Sequence, residues 1–343
     1  MVKKIILEIN DDVDPNILET VDELLEINSN MYNLLTKYKN KITDYYNNKS
    51  WDRYKKISNE YEMIFTTPNT GFNLSQYTPV SRSFFKMWEI LHDFREEFNF
   101  PDKMKVCMLC EGPGGFAEAL VKYRDNKADN DEYHGISLKS DNNRNVPEWK
   151  LNNNFLNKIN INYGSDGTGN IYNMPNILHL VNHIGKHTVD FITADGGFDF
   201  SSDFNHQEDM SMQLILSEIL ATLLLQKQGG SFILKIYDIF TENTMKIIHI
   251  IKKFYKKIFI VKPLTSRPAN SEKYLICTNF YLPDNHKKYF EILYKLIIFK
   301  EDDLQNEGQY IKNSINIDFE QPILKNIVLY NVYYTLRQIY YIQ

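Results

Sequence analysis

Residues 105–124 read KVCMLCEGPGGFAEALVKYR. An apolar run of strand length passes through a glycine-rich turn directly into a helical pattern, which marks the start of an α/β unit. Ligands of such sheets bind outside the carboxyl ends of the strands. Glycines let a backbone approach a ligand closely, and the following helix offers unpaired N–H groups. Gly114 and Gly115 are therefore expected to meet a ligand. Taken alone, the loop serves equally for a phosphate, a dinucleotide or S-adenosylmethionine, or simply turns the chain. It is not a P-loop, because no Lys-Ser/Thr pair follows, and GPGG fits GxGxxG poorly.

Working outward, strand-like runs recur at YHGISL (133–138), NKININ (157–162), TVDFITAD (188–195), GGSFILKIY (229–237), KKIFIVKP (256–263) and KYLICTNFY (273–281). Helical patterns stand at SRSFFKMWEILHDF (81–94), SMQLILSEILATLLLQKQ (211–228) and TMKIIHIIKKFY (244–255). Strands alternating with helices predict a mostly parallel sheet covered on both faces. The last two strands are separated only by TSRPANSE, with no helix between them, so the last strand of a seven-stranded sheet should be antiparallel. Residues 15–65 carry apolar positions at three- and four-residue spacing and read as helices. Residues 283–343 read as helical again, with a polar interruption at 297–313.

Hydrophobic residues make up 43% and charged residues 24% of the 343, a balance that fits a globular protein. The formal charge of -5 means that any nucleic-acid surface must be a local patch. The N-terminal apolar stretch is too short, and too soon followed by acids, for a signal peptide. No apolar run approaches the ~20 residues needed to span a membrane. A soluble intracellular protein is expected, cytoplasmic or nuclear, with a cytoplasmic viral replication site left open. Three cysteines rule against a disulfide framework. Cys107 and Cys110 form a CxxC, but residues three apart on a strand face opposite ways, so both read as buried thiols. His183 and His187 are four apart without an HExxH context and read as surface or capping residues. Lys246, Lys252, Lys253, Lys256, Lys257 and Lys262 read as a solvated face.

Charged residues at strand ends are more telling. Asp195 ends the strand in ITADGG, Lys235 lies inside the strand FILKIY, and Glu272 stands just before KYLIC. A lysine in an apolar strand is costly to bury without a partner. By itself that observation allows a structural ion pair with Asp195 or Glu272.

Together with Lys86 in SRSFFKM, these residues and PGGF (113–116) resemble the FtsJ-like ribose 2′-O-methyltransferases, in particular their messenger-RNA cap-specific branch. The matches are ordered and cover about residues 80–282. The resemblance implies a Rossmann-like core at 80–282, with helical additions at 1–79 and 283–343. It implies S-adenosylmethionine as cofactor and a Lys86–Asp195–Lys235–Glu272 tetrad at the methyl-transfer site. Cofactor contacts would come from Glu111, Gly112, Pro113, Gly114, Gly115, Phe116 and Asp195, and from Asp166 in YGSDGTGNI (163–171). Two positions depart from the family pattern. Met108 stands where many members carry an acid, and Asn170 stands in place of an Asp.

A ribose hydroxyl must lose its proton as the methyl group arrives, so catalysis consists of alignment and of handling one proton. Lys235 is read as the general base, its pKa lowered by burial and a second lysine. Lys86 would steer the hydroxyl, Asp195 would orient Lys235, and Glu272 would hold Lys86 or the ribose. No metal is needed. Arg82, Lys139 and Arg267 flank these motifs and are candidate phosphate contacts. Tyr61, Phe65, Phe72 and Tyr77 are candidate stacking residues for a cap. The resemblance implies capped RNA as substrate and other capping enzymes as partners. Ribosomal or transfer RNA methylation, and a catalytically silent RNA-binding subunit, are the alternatives.

Overall fold

The computed structural model describes residues 6–10, 19–42, 45, 50–65, 74–140, 146–150, 156–197, 205–303 and 315–343. Its strands are β1 (Ile6–Glu8), β2 (Lys105–Leu109), β3 (Glu132–Ile136), β4 (Ile159–Asn162), β5 (Val189–Ala194), β6 (Gln226–Ile236), β7 (Tyr255–Val261) and β8 (Lys273–Phe280). Its α-helices are α1 (Val21–Lys39), α2 (Trp51–Ile57), α3 (Ser83–Asp93), α4 (Gly115–Arg124), α5 (Met174–Ile184), α6 (Gln207–Leu225), α7 (Glu242–Lys252), α8 (His286–Asp303) and α9 (Gln321–Ile342). The described strands form one sheet of order β1-β7-β8-β6-β5-β2-β3-β4.

The parallel core expected from the alternation is present: β4, β3, β2, β5 and β6 pair in parallel. The antiparallel final strand is also present. β8 inserts between β6 and β7 and pairs antiparallel with both. Two elements were not anticipated. Ile6–Glu8 adds an eighth strand, antiparallel on the β7 edge. Three residues carry no period of their own, so only pairing with a partner strand makes them one. The second is α5, which starts with Pro175 in its first turn. It covers the sheet between the 163–171 loop and β5.

Side chains of β2 alternate between two cores, as strand geometry requires. Cys107 and Leu109 join a core shared with α5, α6, α7 and the terminal helices. Val106 and Met108 join the core under α3 and α4. Cys107 is buried, as expected, and Cys277 is buried too. Cys110, past the end of the strand, is instead half-buried. Helix α6 is buried almost all round, since the sheet lies on one side and α5 and α8 pack on the other.

The terminal helices pack on each other and on the core. Asn331 on α9 donates to Asn28 on α1 at 2.7 Å and to the Ile239 carbonyl at 2.6 Å. Asp238, just past β6, is buried between Lys39 of α1 at 2.6 Å and Lys273 of β8 at 3.0 Å. Burial opposes its charge, but the two ammonium groups outweigh that and hold its pKa down to about 2. A depressed folded-state pKa means the pair stabilises fully above the unfolded value of ~3.9. That contribution fades as pH falls through about 2. Asp238→Asn should therefore cost about 3–5 kcal/mol near neutral pH, because two buried ammonium groups lose their counter-charge. It should also flatten the stability loss between about pH 4 and pH 2. Urea unfolding across that range measures both effects, and an unchanged acid limb contradicts the assignment.

Candidate active site

The four charged residues singled out in the sequence converge at the carboxyl end of the central strands. Lys86 lies one turn into α3. Its Nζ is 2.7 Å from Glu272 Oε1 and 2.8 Å from Oε2. Lys235 is the penultimate residue of β6. Its Nζ donates to the Asp195 carbonyl at 3.0 Å and lies 3.4 Å from Asp195 Oδ1. Parallel pairing of β5 with β6 sets Ala194 beside Leu234, which brings the next residue of each strand together.

Tyr274, which the sequence reading passed over, joins the two ion pairs. It sits opposite Lys235 in the β6–β8 register. Its hydroxyl is 3.1 Å from Asp195 Oδ1 and 3.2 Å from Glu272 Oε1. The signal was available, because residues two apart on a strand share a face and Glu272 is two residues away. Lys262 is a second omission. It was grouped with the solvated lysines but is 3% exposed. Its ammonium bonds the Glu272 carbonyl at 2.7 Å, the Asn270 carbonyl at 2.9 Å and Asn270 Oδ1 at 2.6 Å, which braces the segment before β8. Lys246 and Lys252 are also buried, because α7 is covered on all sides from Thr244 to Lys252.

Electrostatics differ from expectation in one respect. Burial works against the charge of Lys235, but Asp195, Tyr237, Glu272 and Glu218 overcome it and hold its pKa above the usual lysine value. The lowered pKa expected from burial and a second lysine is therefore not found. Burial likewise opposes ionisation of Glu272, while Lys86, Lys235 and Lys262 hold it well below the usual carboxylate range.

Asp195, Lys235 and Glu272 line an open cleft of about 490 Å³, together with Ser81, Arg82, Cys110, Gly112, Pro113, Pro147, Gly197 and Tyr237, while Lys86 and Tyr274 meet it only through their bonds to these acids. Gly112 and Pro113 thus present backbone to the cleft. Gly114 and Gly115 are also needed for packing within the protein. Gly114 has φ +105° and begins α4, and a Cβ there would lie 2.9 Å from Leu156 Cδ1. A Cβ on Gly115 would strike the Ser81 and Ser83 hydroxyls. Both glycines make room for the protein's own packing, and Gly115 lets the start of α3 close on α4. Phe116 is buried against Tyr274 at 5.6 Å between ring centroids. Glu111 is buried behind the loop, and burial, reinforced by Asp195 and Glu218, raises its pKa well above the usual range.

Asp166 is not among the residues lining the cleft. Its carboxylate accepts from the Thr168 N–H at 2.9 Å, Thr168 Oγ1 at 2.7 Å, Asn173 at 2.8 Å and Asn176 at 3.0 Å. Asn176, fully buried on α5, organises this loop and was missed along with its helix. Lys139 is exposed beside the same loop, its backbone N–H bonded to the Thr168 carbonyl at 2.8 Å. Arg82 and Arg267 turn inward. Arg267 grips Glu62 at 2.8 and 3.0 Å. Arg82 lies 3.4 Å from the same carboxylate and bonds the Thr265 carbonyl at 3.1 Å. Tyr77 is tied to Glu118 at 2.7 Å, Phe65 packs near Phe85, and Phe72 lies outside the described residues. A second hollow, of about 130 Å³, shares Gln207, Asn270 and Ser271 with the cleft and is walled by Trp51, Ile42 and Arg267.

Residues 79–280 match the family model described as FtsJ-like methyltransferase. The chain belongs to the FtsJ-like methyltransferase family. Similar curated proteins carry the name cap-specific mRNA (nucleoside-2'-O-)-methyltransferase 1. The one from Trypanosoma cruzi is 33% identical over 61% of this chain and 57% of its own length. The one from Drosophila melanogaster is 37% identical over 49% of this chain and 21% of its own. That from Dictyostelium discoideum is 33% identical over 67% of this chain and 32% of its own. The matches thus span from about a fifth to just over half of these relatives. Among the described residues, no group of three or more His, Cys, Asp and Glu side chains could hold a metal, and no helix is long and apolar enough to cross a membrane.

Glu62 neutralises two guanidinium groups within a largely buried site. Burial opposes its charge, yet Arg267, Asn59 and Arg82 hold its pKa below the usual value. Glu62→Ala should therefore lower stability by about 3 kcal/mol, since both arginines lose their carboxylate. Chemical denaturation reads this directly; a loss under ~1 kcal/mol would mark the pair as a surface-type bridge.

Proposed function

We propose that this FtsJ-like chain is an S-adenosylmethionine-dependent mRNA cap 2′-O-ribose methyltransferase acting on the first transcribed nucleotides. The observation that carries the reading is that two Lys–acid pairs are joined through one tyrosine hydroxyl, with Asp195, Lys235 and Glu272 of that network lining a cleft beside a glycine loop. A lone structural ion pair would not require a second Lys–acid pair coupled to it. The names of the relatives support the cap as the target.

The cleft fits such a cofactor on two counts. Its volume lies within the range of small-molecule sites, and the carboxyls of Asp195 and Glu272 that line it suit a ligand bearing a positive sulfur. The cofactor would supply a methyl group on that sulfur. Gly112, Pro113 and Asp195 would hold it. Lys86, fixed by Glu272, would orient the ribose hydroxyl and favour its ionisation. Lys235 would take the proton at Nζ, after RNA binding excludes water and weakens its ammonium form. The base therefore starts as a held cation and has to be released. The rate of transfer should accordingly rise with pH and show no plateau below about pH 10. The hollow beside Trp51 offers an aromatic wall next to Arg267, the chemistry needed to stack a methylated purine near its phosphates. Other capping enzymes are the partners such an activity implies.

Lys235→Ala should abolish single-turnover methyl transfer while cofactor affinity, measured by calorimetry, stays nearly intact. Lys235→Arg should not rescue it, because a guanidinium stays protonated. Melting temperature on the same sample is the control. A variant destabilised by a few kcal/mol but active in proportion to folded protein would make Lys235 a structural partner only.

Capped RNA should accept methyl groups far faster than the same RNA with a 5′-triphosphate, and binding should weaken with added salt. Trp51→Ala should narrow that preference without altering transfer to saturating RNA. Equal rates on both RNAs would favour ribosomal or transfer RNA as the substrate, and no transfer to any RNA would favour a silent RNA-binding subunit.

A further inference from the structure

Beneath the Asp195–Gly197 turn lies an acid that the tetrad does not include. Glu218, in the middle of α6, is 1% exposed. Its Oε1 occupies the space that a Cβ on Gly196 would need, so the turn rests directly on this carboxyl. The Gly196 N–H and the Cys110 thiol are its polar neighbours. Among the described residues, Oε1 itself has no hydrogen-bond partner. A carboxyl this deep is costly to keep without compensation, and the nearby cation is Lys235.

We propose that Glu218 is a positioning residue for proton removal at this site: it seats the Asp195–Gly197 turn on α6 and presents its carboxylate to Lys235 from below, so that its charge governs how firmly the ammonium keeps its proton. The proposal rests on Lys235 being the proton acceptor in the reading above.

Lys235 is faced by Asp195 from the turn after β5, Glu272 from the segment before β8, Tyr237 at the end of its own strand, Glu111 from the glycine loop and Glu218 from α6. Glu218 is faced by Lys235, Asp195, Cys110 and Glu111, by Tyr237, and by Tyr172 ahead of α5. Burial raises the pKa of Glu218 against the pull of Lys235, with Asp195 adding to the rise, to about 8. The acid is therefore largely neutral at lower pH and gains its charge across the range in which a lysine base begins to be released. Each group's ionisation restrains the other's, because an anion at Glu218 favours the ammonium of Lys235.

The test is competitive acetylation of the ligand-free protein from about pH 7 to pH 10, since only the neutral amine reacts. Wild type and Glu218→Gln are compared, with exposed Lys256 as the internal control. Glutamine keeps the shape and an acceptor for the Gly196 N–H but cannot ionise. The ratio of variant to wild-type labelling at Lys235 should climb above about pH 8 and reach about three- to tenfold near pH 9.5, with Lys256 unchanged. Equal labelling of Lys235 at every pH overturns the proposal. Should the glutamine variant not fold, wild type carries the test alone. Its Lys235 labelling should keep rising but with a shallower slope just above about pH 8 before steepening again, and a single unbroken slope overturns the proposal. Methyl transfer on the same samples separates the two readings. A labelling shift without transfer in either protein upholds the coupling of Glu218 to Lys235 and removes Lys235 as a catalytic base.

Discussion

An ammonium group on a central strand has to be met by negative charge from its surroundings, and Lys235 sets that demand for the whole carboxyl edge of this sheet. Asp195 answers it from the neighbouring strand, at 3.4 Å to the carboxylate and 3.0 Å to the carbonyl. Glu272 contributes from the segment before β8 while holding Lys86. Tyr274 lies between the two acids. Insertion of β8 between β6 and β7 makes this arrangement attainable, because it brings a strand immediately preceded by an acid directly alongside the strand whose penultimate residue is the lysine. The site is thus a consequence of sheet order as much as of residue identity.

Around that centre, carboxylates act as clamps on backbone and guanidinium donors. Glu89 of α3 accepts from the Leu264 and Thr265 N–H groups at 2.7 and 3.0 Å, anchoring the start of the segment that leads to Glu272. Glu118 of α4 accepts from the Val80 N–H and the Tyr77 hydroxyl, both at 2.7 Å, fixing the approach to α3. Glu62 ties the N-terminal segment to Arg82 and Arg267 together. Hydrogen bonds to charged acceptors are worth more than neutral ones. Three such clamps fix loops that contain few apolar residues of their own. Lys86 and Glu272 consequently sit on braced elements.

The strand–glycine loop–helix unit at 105–124 was legible because a strand-length apolar run gives way to a helical pattern across five residues that favour a turn. The tetrad was legible because charges at strand ends are unusual enough to be noticed and their order matched a known family. What escaped depends on contacts distant in sequence. Ile6–Glu8 is a strand only by virtue of β7. Helix α5 has an apolar face but starts amid asparagines, and without it the role of Asn176 in holding Asp166 could not be seen. Lys262 looked like one more member of a basic run, since nothing local reveals that Asn270 and Glu272 fold back over it. The tie of Arg82 and Arg267 to Glu62 escaped for the same reason, since that shared acid lies 20 and 205 residues away in sequence. The raised proton affinity of Lys235 needed the number of acids around it, which only packing supplies.

Gly197 has an implication of its own. A Cβ there would lie 2.7 Å from the Tyr237 hydroxyl and 2.8 Å from Lys235 Nζ. Both obstacles are side-chain tips on one strand, and no backbone atom is among the nearest neighbours, so the restriction comes from the chemistry of the cleft and not from the path of the chain. Position 197 and position 235 are therefore linked in what they can become. A side chain at 197 would have to push aside the Tyr237 hydroxyl or the Lys235 amine, the two groups presented to the cleft at this point. The bare position leaves both tips where the neighbouring acids hold them.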